Sequence, residues 1–184
     1  MDERPLVKDL LEKYEAASAS VHEKILADEE RKALCEKDKN AKRYDDIWIL
    51  RYVLSYRGNV NTAAKATIKG IKYREEKKLN ELGDIRHRLR NHGVPNPNEG
   101  ALDDIEALPG YKLLESFCSE NATFNTLPNN DRGIVTYYDV GKMDQHGIAE
   151  DVNKEQLMEY QTYSNEAIFQ ILDENTRCTG RLTK

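Results

Sequence analysis

The chain has 184 residues, carries a net charge of −5 and is 39% hydrophobic, which is enough for one domain or two small ones. No apolar run approaches the ~18 residues that a membrane-spanning helix needs, and the charged first residues are not typical of a signal peptide. These features argue against an integral membrane protein, and we expect a cytoplasmic one.

The stretch 6–40 is predicted to be helical. Apolar residues recur in it at helical spacing amid dense alternating charge, a pattern typical of amphipathic helices that pack along one side. The small residues Ser18, Ala19 and Ser20 predict a break between these helices.

The stretch 45–76 contains the clearest pattern in the chain. Apolar side chains lie nearly all the way round its first half, which predicts a helix that is buried on more than one side. Gly58 suits a left-handed helix end, and Asn61 is predicted to cap the next helix. We therefore expect an αα-hairpin with Arg57 at its corner. Three aromatic residues are assigned to its core: Trp48, Tyr52 and Tyr73.

The second helix of this hairpin is predicted to continue towards Leu82, with Gly83 as its stop. The stretch 92–100 then holds two prolines and two glycines, which makes it the clearest linker in the sequence. We place a domain boundary there, with residues 93–109 as linker and bridging helix.

A β-rich run between Gly133 and Gly141 predicts a strand from its composition alone. The residues that favour a strand are Ile134, Val135, Tyr137, Tyr138 and Val140. Further on, Asn153 and Gln156 can form a capping box at the start of a helix. The predicted apolar face of that helix consists of Leu157, Tyr160, Ile168 and Ile171.

Two of these stretches resemble the CRAL-TRIO lipid-transfer family. In the helical domain of that family, an acidic pair leads into a Leu-Arg-aromatic-Leu helix, a basic residue, a short turn and a helix that ends in an aromatic-Arg pair. The matching residues here are Asp45, Asp46, Leu50, Arg51, Tyr52, Leu54, Arg57, Val60, Ala63, Ala64, Tyr73 and Arg74. The stretch 129–144 resembles the first strand of the family's lipid-binding domain.

The resemblance implies an α+β fold that is mostly α. A helical bundle of the CRAL-TRIO N-terminal type would occupy residues 1–92, and an incomplete α/β CRAL-TRIO lipid-binding domain would occupy residues 110–184. Residues 173–184 resemble the lead into the next strand of that domain. Because the family continues there with most of its sheet, we expect an N-terminal fragment, a truncated gene model, or a sheet that something else completes.

The resemblance also implies a function, which is non-enzymatic binding and intermembrane transfer of a hydrophobic ligand. The expected partners are phosphatidylinositol or a related phospholipid, and a transient anionic membrane surface. Residues 65–90 include nine Lys or Arg residues against four acids. The candidate headgroup or membrane-surface residues are Arg57, Lys72, Lys77 and Lys78. The alternative for these cations is a solvated helix surface with local ion pairs.

No pattern indicates catalysis or metal binding. The histidines lack the i, i+4 spacing of metal ligands on a helix, and neither a Gly-rich phosphate loop nor a GxSxG motif is present. The three cysteines are widely spaced and fit neither a disulfide framework nor a zinc site. We expect no enzyme activity, no cofactor and no nucleic-acid partner. The alternative function is a helical protein-interaction module that docks through residues 6–40.

Overall fold

The computed structural model describes residues 3–27, 29, 32–33, 44–85, 113, 116–117, 123–126 and 135–183. These residues are mostly helical, which confirms the coarser part of the fold prediction. The chain forms two compact units. The helical unit comprises Pro5–Gly83 and Gly180–Leu182, and the second unit comprises Met1–Arg4, Asp84–Thr179 and Thr183–Lys184. The predicted linker lies outside the described residues.

The helical unit begins with α1 (Val7–Lys13) and α2 (Glu15–Leu26). The break between them falls at Tyr14, so the prediction of a break at residues 18–20 is wrong. Ser18 lies inside α2 and is buried together with Val21 and Ile25. These three positions follow helical spacing, so burying them on one side requires a helix that is continuous through the serines.

The predicted hairpin is present as α3 (Asp46–Ser55) and α4 (Val60–Glu76). The N-cap of α4 is Asn59, whose side chain accepts a hydrogen bond from the Thr62 N–H at 3.1 Å, and the prediction of Asn61 is therefore wrong. Asn59 is the residue with extended backbone before the helix, and only such a residue can fold its side chain back onto the first turn.

The end of α4 also differs from the prediction, which extended the helix towards Leu82. The helix stops at Glu76, and a separate 3₁₀ turn follows at Leu79–Glu81. Lys78 between them has a φ of +53°, which a continuing α-helix cannot accommodate. Gly83 lies beyond the turn with a φ of +67°.

The helices α1 to α4 share one core. Helices α2, α3 and α4 pack against one another, and α1 packs against α2 and α3. The apolar side chains buried in this unit are Val7, Val21, Ile25, Trp48, Ile49, Leu50, Val53, Ala63, Ala64, Ile71, Leu79 and Leu182. Because α3 supplies three consecutive buried residues, it is buried on more than one side, as its sequence predicts.

Residues 180–182 pair with the residues that precede α1. The Val7 N–H donates to the Gly180 carbonyl at 2.9 Å, and the Leu182 N–H donates to the Pro5 carbonyl at 3.0 Å. Leu6 and Arg181 form an antiparallel bridge. This differs from the prediction for residues 173–184, since a helix continues to Thr179 and residues 180–182 belong to the helical unit.

The second unit contains a two-stranded sheet. β1 (Thr123–Thr126) pairs antiparallel with β2 (Val135–Tyr138), with Thr123 opposite Tyr138. β2 lies within the run that the sequence predicts to be a strand. A 3₁₀ turn at Val140–Lys142 follows.

Two further helices complete the described part of the second unit, α5 (Gln145–Asp151) and α6 (Lys154–Thr179). The capping box at the start of α6 is confirmed: the Gln156 N–H donates to Asn153 Oδ1 at 2.8 Å, and the Asn153 N–H donates to Gln156 Oε1 at 3.2 Å. The predicted apolar face is wrong at Leu157, which is 40% exposed. The buried residues of α6 begin only at Thr162, after the first two turns.

Candidate functional site

Arg57 occupies the corner between α3 and α4, as predicted, and it does so in a left-handed conformation. Its φ is +52°, and Gly58 follows with a φ of +80°. The Gly58 N–H donates to the Val53 carbonyl at 2.8 Å, which satisfies one of the last carbonyls of α3. A left-handed backbone costs a residue other than glycine about 1–2 kcal/mol. This left-handed turn ends α3 and lets the chain reverse into α4. The Arg57 side chain at the turn is exposed.

The three candidate lysines are not equivalent. Lys72 is exposed on α4 itself, whereas Lys77 and Lys78 follow the end of the helix. Lys77 Nζ lies 3.2 Å from Glu76 Oε1, so this lysine has the local ion pair that the alternative interpretation expects. Both side chains of that pair are largely exposed, and such a pair contributes little to stability.

The structure separates Arg57 from the lysines. Arg57 precedes the first residue of α4, Val60, and the lysines lie near or beyond the other end. At a rise of about 1.5 Å per residue, Lys72 lies about 18 Å from Val60 along the helix axis, and Lys77 about 25 Å. A single lipid headgroup therefore cannot contact Arg57 and Lys77 together.

In the aromatic-Arg pair near the end of α4, the tyrosine is exposed and the arginine is buried. Tyr73, which we assigned to the core, is 40% exposed, and Arg74 is only 8% exposed. Arg74 Nε donates to Asn80 Oδ1 at 2.9 Å, and Asn80 Nδ2 donates to the Tyr44 hydroxyl at 2.7 Å. Hydrogen bonds of this kind allow a guanidinium to be buried without leaving its donors unsatisfied.

Tyr52 joins α3 to α4 beside this network. Its ring lies edge-on to Trp48 with 4.8 Å between ring centroids. Burial raises the pKa of the Tyr52 phenol above its ordinary value, and the nearby charge of Arg74 opposes that shift. On α4, Gly70 faces the ring so closely that an added Cβ would contact the hydroxyl. The close approach of Tyr52 to α4 therefore depends on a glycine at position 70.

Two exposed lysines that we did not select, Lys65 and Lys69, lie on the same face of α4 as Lys72. The signal that could have identified them is their spacing, since positions i, i+4 and i+7 lie on one side of a helix. A second signal is the absence of acids: six Lys or Arg residues and no Asp or Glu occur from Ile47 to Arg74.

Among the residues that the structure describes, no three His, Cys, Asp or Glu side chains are grouped as metal ligands. In the same part of the chain, none of the helices has both the length and the apolar character that crossing a bilayer requires.

Comparison with known proteins found no family model, no curated protein and no solved structure that matches this chain.

Proposed function

We propose that this protein takes part in the binding and intermembrane transfer of a hydrophobic ligand, a phosphatidylinositol-type lipid, without catalysing a reaction. It would do so in the cytoplasm with transient membrane contact. The observation that carries the proposal is the resemblance of two separate stretches, 45–74 and 129–144, to the two domains of the CRAL-TRIO family in the order that the family has them. The αα-hairpin and the strand β2, which lie in those stretches, support it.

The physical role of such a carrier is to keep lipid tails out of water. Exposing a tail costs about 0.8 kcal/mol per CH₂ group, so an uncovered lipid crosses the aqueous phase very rarely. A protein that covers the tails lowers this barrier by binding alone. No proton transfer, nucleophile or metal is needed, which is why we propose a non-enzymatic function.

A chimera tests the proposal. Residues 1–144, which contain both matching stretches, would replace the corresponding segment of a CRAL-TRIO protein with measured phosphatidylinositol transfer. If the stretches are equivalent, the chimera should fold and move fluorescent phosphatidylinositol between vesicles. The control is the same chimera with Leu50→Ala, which weakens the core of the helical unit and should lower its unfolding temperature. A well-folded chimera without transfer activity would contradict the proposal.

The alternative, a protein-interaction module, would use the helices α1 and α2. Their buried residues Val7, Val21 and Ile25 belong to the core of the helical unit, so a partner would have to bind the charged outer face instead. Ligand-dependent stability separates the two functions, because a lipid raises the unfolding temperature of a protein that binds it and leaves a protein-interaction module unchanged.

A further inference from the structure

The outer face of α4 carries a straight row of three exposed cations, Lys65, Lys69 and Lys72, which we name the lysine row. At about 1.5 Å per residue the row is about 10 Å long, and at 3.6 residues per turn its members fall within about 60° of arc. The buried residues of the helix, such as Ala64, Thr67 and Ile71, lie on nearly the opposite side.

Acidic neighbours of the lysine row occur only at its C-terminal end. No Asp or Glu lies three or four residues before or after Lys65 or Lys69, whereas Glu75 and Glu76 lie at i+3 and i+4 from Lys72. Within the described part of the chain, none of the three lysines makes an ion pair. Other basic side chains in the described residues do form ion pairs. Lys142 Nζ lies 3.6 Å from Asp139 Oδ2, and Arg177 Nε lies 2.7 Å from Asp173 Oδ2. Like charges at these spacings destabilise a helix, so an external anionic surface would relieve a repulsion that the fold leaves in place.

An exposed aromatic residue adjoins the row. Tyr73 lies at i+4 from Lys69, so the two side chains are neighbours on the helix surface, and it is 40% exposed, although the sequence predicts it in the core. Tyrosine is enriched where protein meets the headgroup region of a bilayer, because its ring is apolar and its hydroxyl is polar. The outer face of α4 therefore combines cations and an amphipathic ring, which is the combination that favours a lipid surface over a purely aqueous one.

We propose that the lysine row with Tyr73 is the surface through which this protein docks on a bilayer that contains anionic phospholipid. Charge complementarity and shape point to this partner. A row of exposed side chains along one side of a helix matches a plane of many headgroups better than a single enclosed anion. The proposal rests on the proposed function, since a lipid carrier must visit membranes, and it assigns that contact to particular residues of α4.

The test uses the full chain and vesicles of phosphatidylcholine with phosphatidylserine. The triple variant Lys65→Gln, Lys69→Gln, Lys72→Gln removes three charges and keeps residues that favour helices. Each surface cation contributes about 1 kcal/mol to binding an anionic membrane, and 1.4 kcal/mol is a factor of ten, so the partition coefficient should fall about 100-fold. The parent should not bind pure phosphatidylcholine vesicles, and its binding should weaken as salt rises.

Two control variants separate the row from net charge. Lys8, Lys24 and Lys154 are exposed and lie outside α4, so changing all three to Gln alters net charge equally and should reduce partitioning much less than the row variant does. The triple Arg variant of the lysine row should bind as well as the parent, since it keeps the charges. Circular dichroism confirms that each variant is folded.

Several outcomes would overturn the proposal. The first is an equal loss of vesicle partitioning in the row variant and the control variant. The second is a folded row variant that binds vesicles as well as the parent does. The third is a parent that binds duplex nucleic acid but not the anionic vesicles. Failure here is distinguishable from failure of the proposed function. Vesicle binding through the row combined with an inactive, folded chimera keeps the docking surface and removes the carrier. An active chimera combined with no vesicle binding removes only the docking surface.

Discussion

Gly70→Ala is predicted to destabilise the helical unit, although a change from glycine to alanine in the interior of a helix ordinarily stabilises the protein. Alanine in a helix interior is favoured over glycine by about 1 kcal/mol. At Gly70 the new Cβ would contact the Tyr52 hydroxyl and lie 3.2 Å from Tyr52 Cζ. The tyrosine cannot move away cheaply, because its ring packs against Trp48. Overpacking costs about 1–3 kcal/mol, so we expect a net loss of about 1 kcal/mol.

The assay is chemical denaturation followed by tryptophan fluorescence. Trp48 is the single tryptophan of the chain and is buried, so its emission reports on the helical unit. Tyr52→Phe removes the hydroxyl that the new Cβ would meet. In this background Gly70→Ala should become neutral or stabilising by up to about 1 kcal/mol, which gives a coupling energy in a double-mutant cycle. If Gly70→Ala stabilises both backgrounds equally, α3 and α4 do not approach as closely as the structure shows.

Further predictions concern single side chains of the hairpin. Leu50→Ala should lower the free energy of unfolding by about 2–5 kcal/mol, because Leu50 is fully buried, whereas Lys69→Ala should change it by less than about 0.5 kcal/mol. Equal, small effects in denaturation would contradict the core assignment. Asp45→Ala should cost about 1 kcal/mol through the lost hydrogen bond to the Trp48 N–H, and no change would show that this cap is not formed in solution. The raised pKa of Tyr52 stabilises the folded protein fully below its ordinary value of 10.0, and this contribution is lost as pH rises through the raised value, because the unfolded chain ionises first. Above pH 10.0 the parent should therefore lose stability relative to Tyr52→Phe, and a difference that does not vary with pH would contradict burial of the phenol.

The hairpin was predictable because its signals are local. Gly58 and a helix that is apolar nearly all round determine α3 and its end within a few residues. Propensity alone could not orient the end of α4, since it places Tyr73 inside and Arg74 outside. The register is set instead by Thr67 and Ile71, which put position 74 on the buried side at i+7 and i+3.

The pairing of residues 5–7 with residues 180–182 was not predictable from local pattern. The two segments are far apart in sequence, and no periodicity in either segment indicates that it pairs with the other.

The lysine row is visible in the sequence but was not predicted, for a different reason. The predicted cations Lys72, Lys77 and Lys78 are close together in sequence and lie off the apolar stripe, but a helix surface groups side chains by spacing, and spacing separates the lysine row from Lys77 and Lys78.

The two sides of α4 explain how the lysine row can exist. Repulsion between neighbouring lysines costs about 0.2–0.5 kcal/mol per pair, and the row contains two such pairs, which an isolated helix of this length could not easily bear. On the buried side, Ile71 alone contributes about 1.5–3 kcal/mol, so packing outweighs the repulsion. Changing Lys65 and Lys69 to Gln removes both repulsive pairs and leaves Lys72 next to Glu75 and Glu76, so it should raise the free energy of unfolding by about 0.4–1 kcal/mol at low salt while weakening vesicle binding. A variant that is both less stable and equally well bound to vesicles would show that the lysines serve the fold rather than a membrane surface.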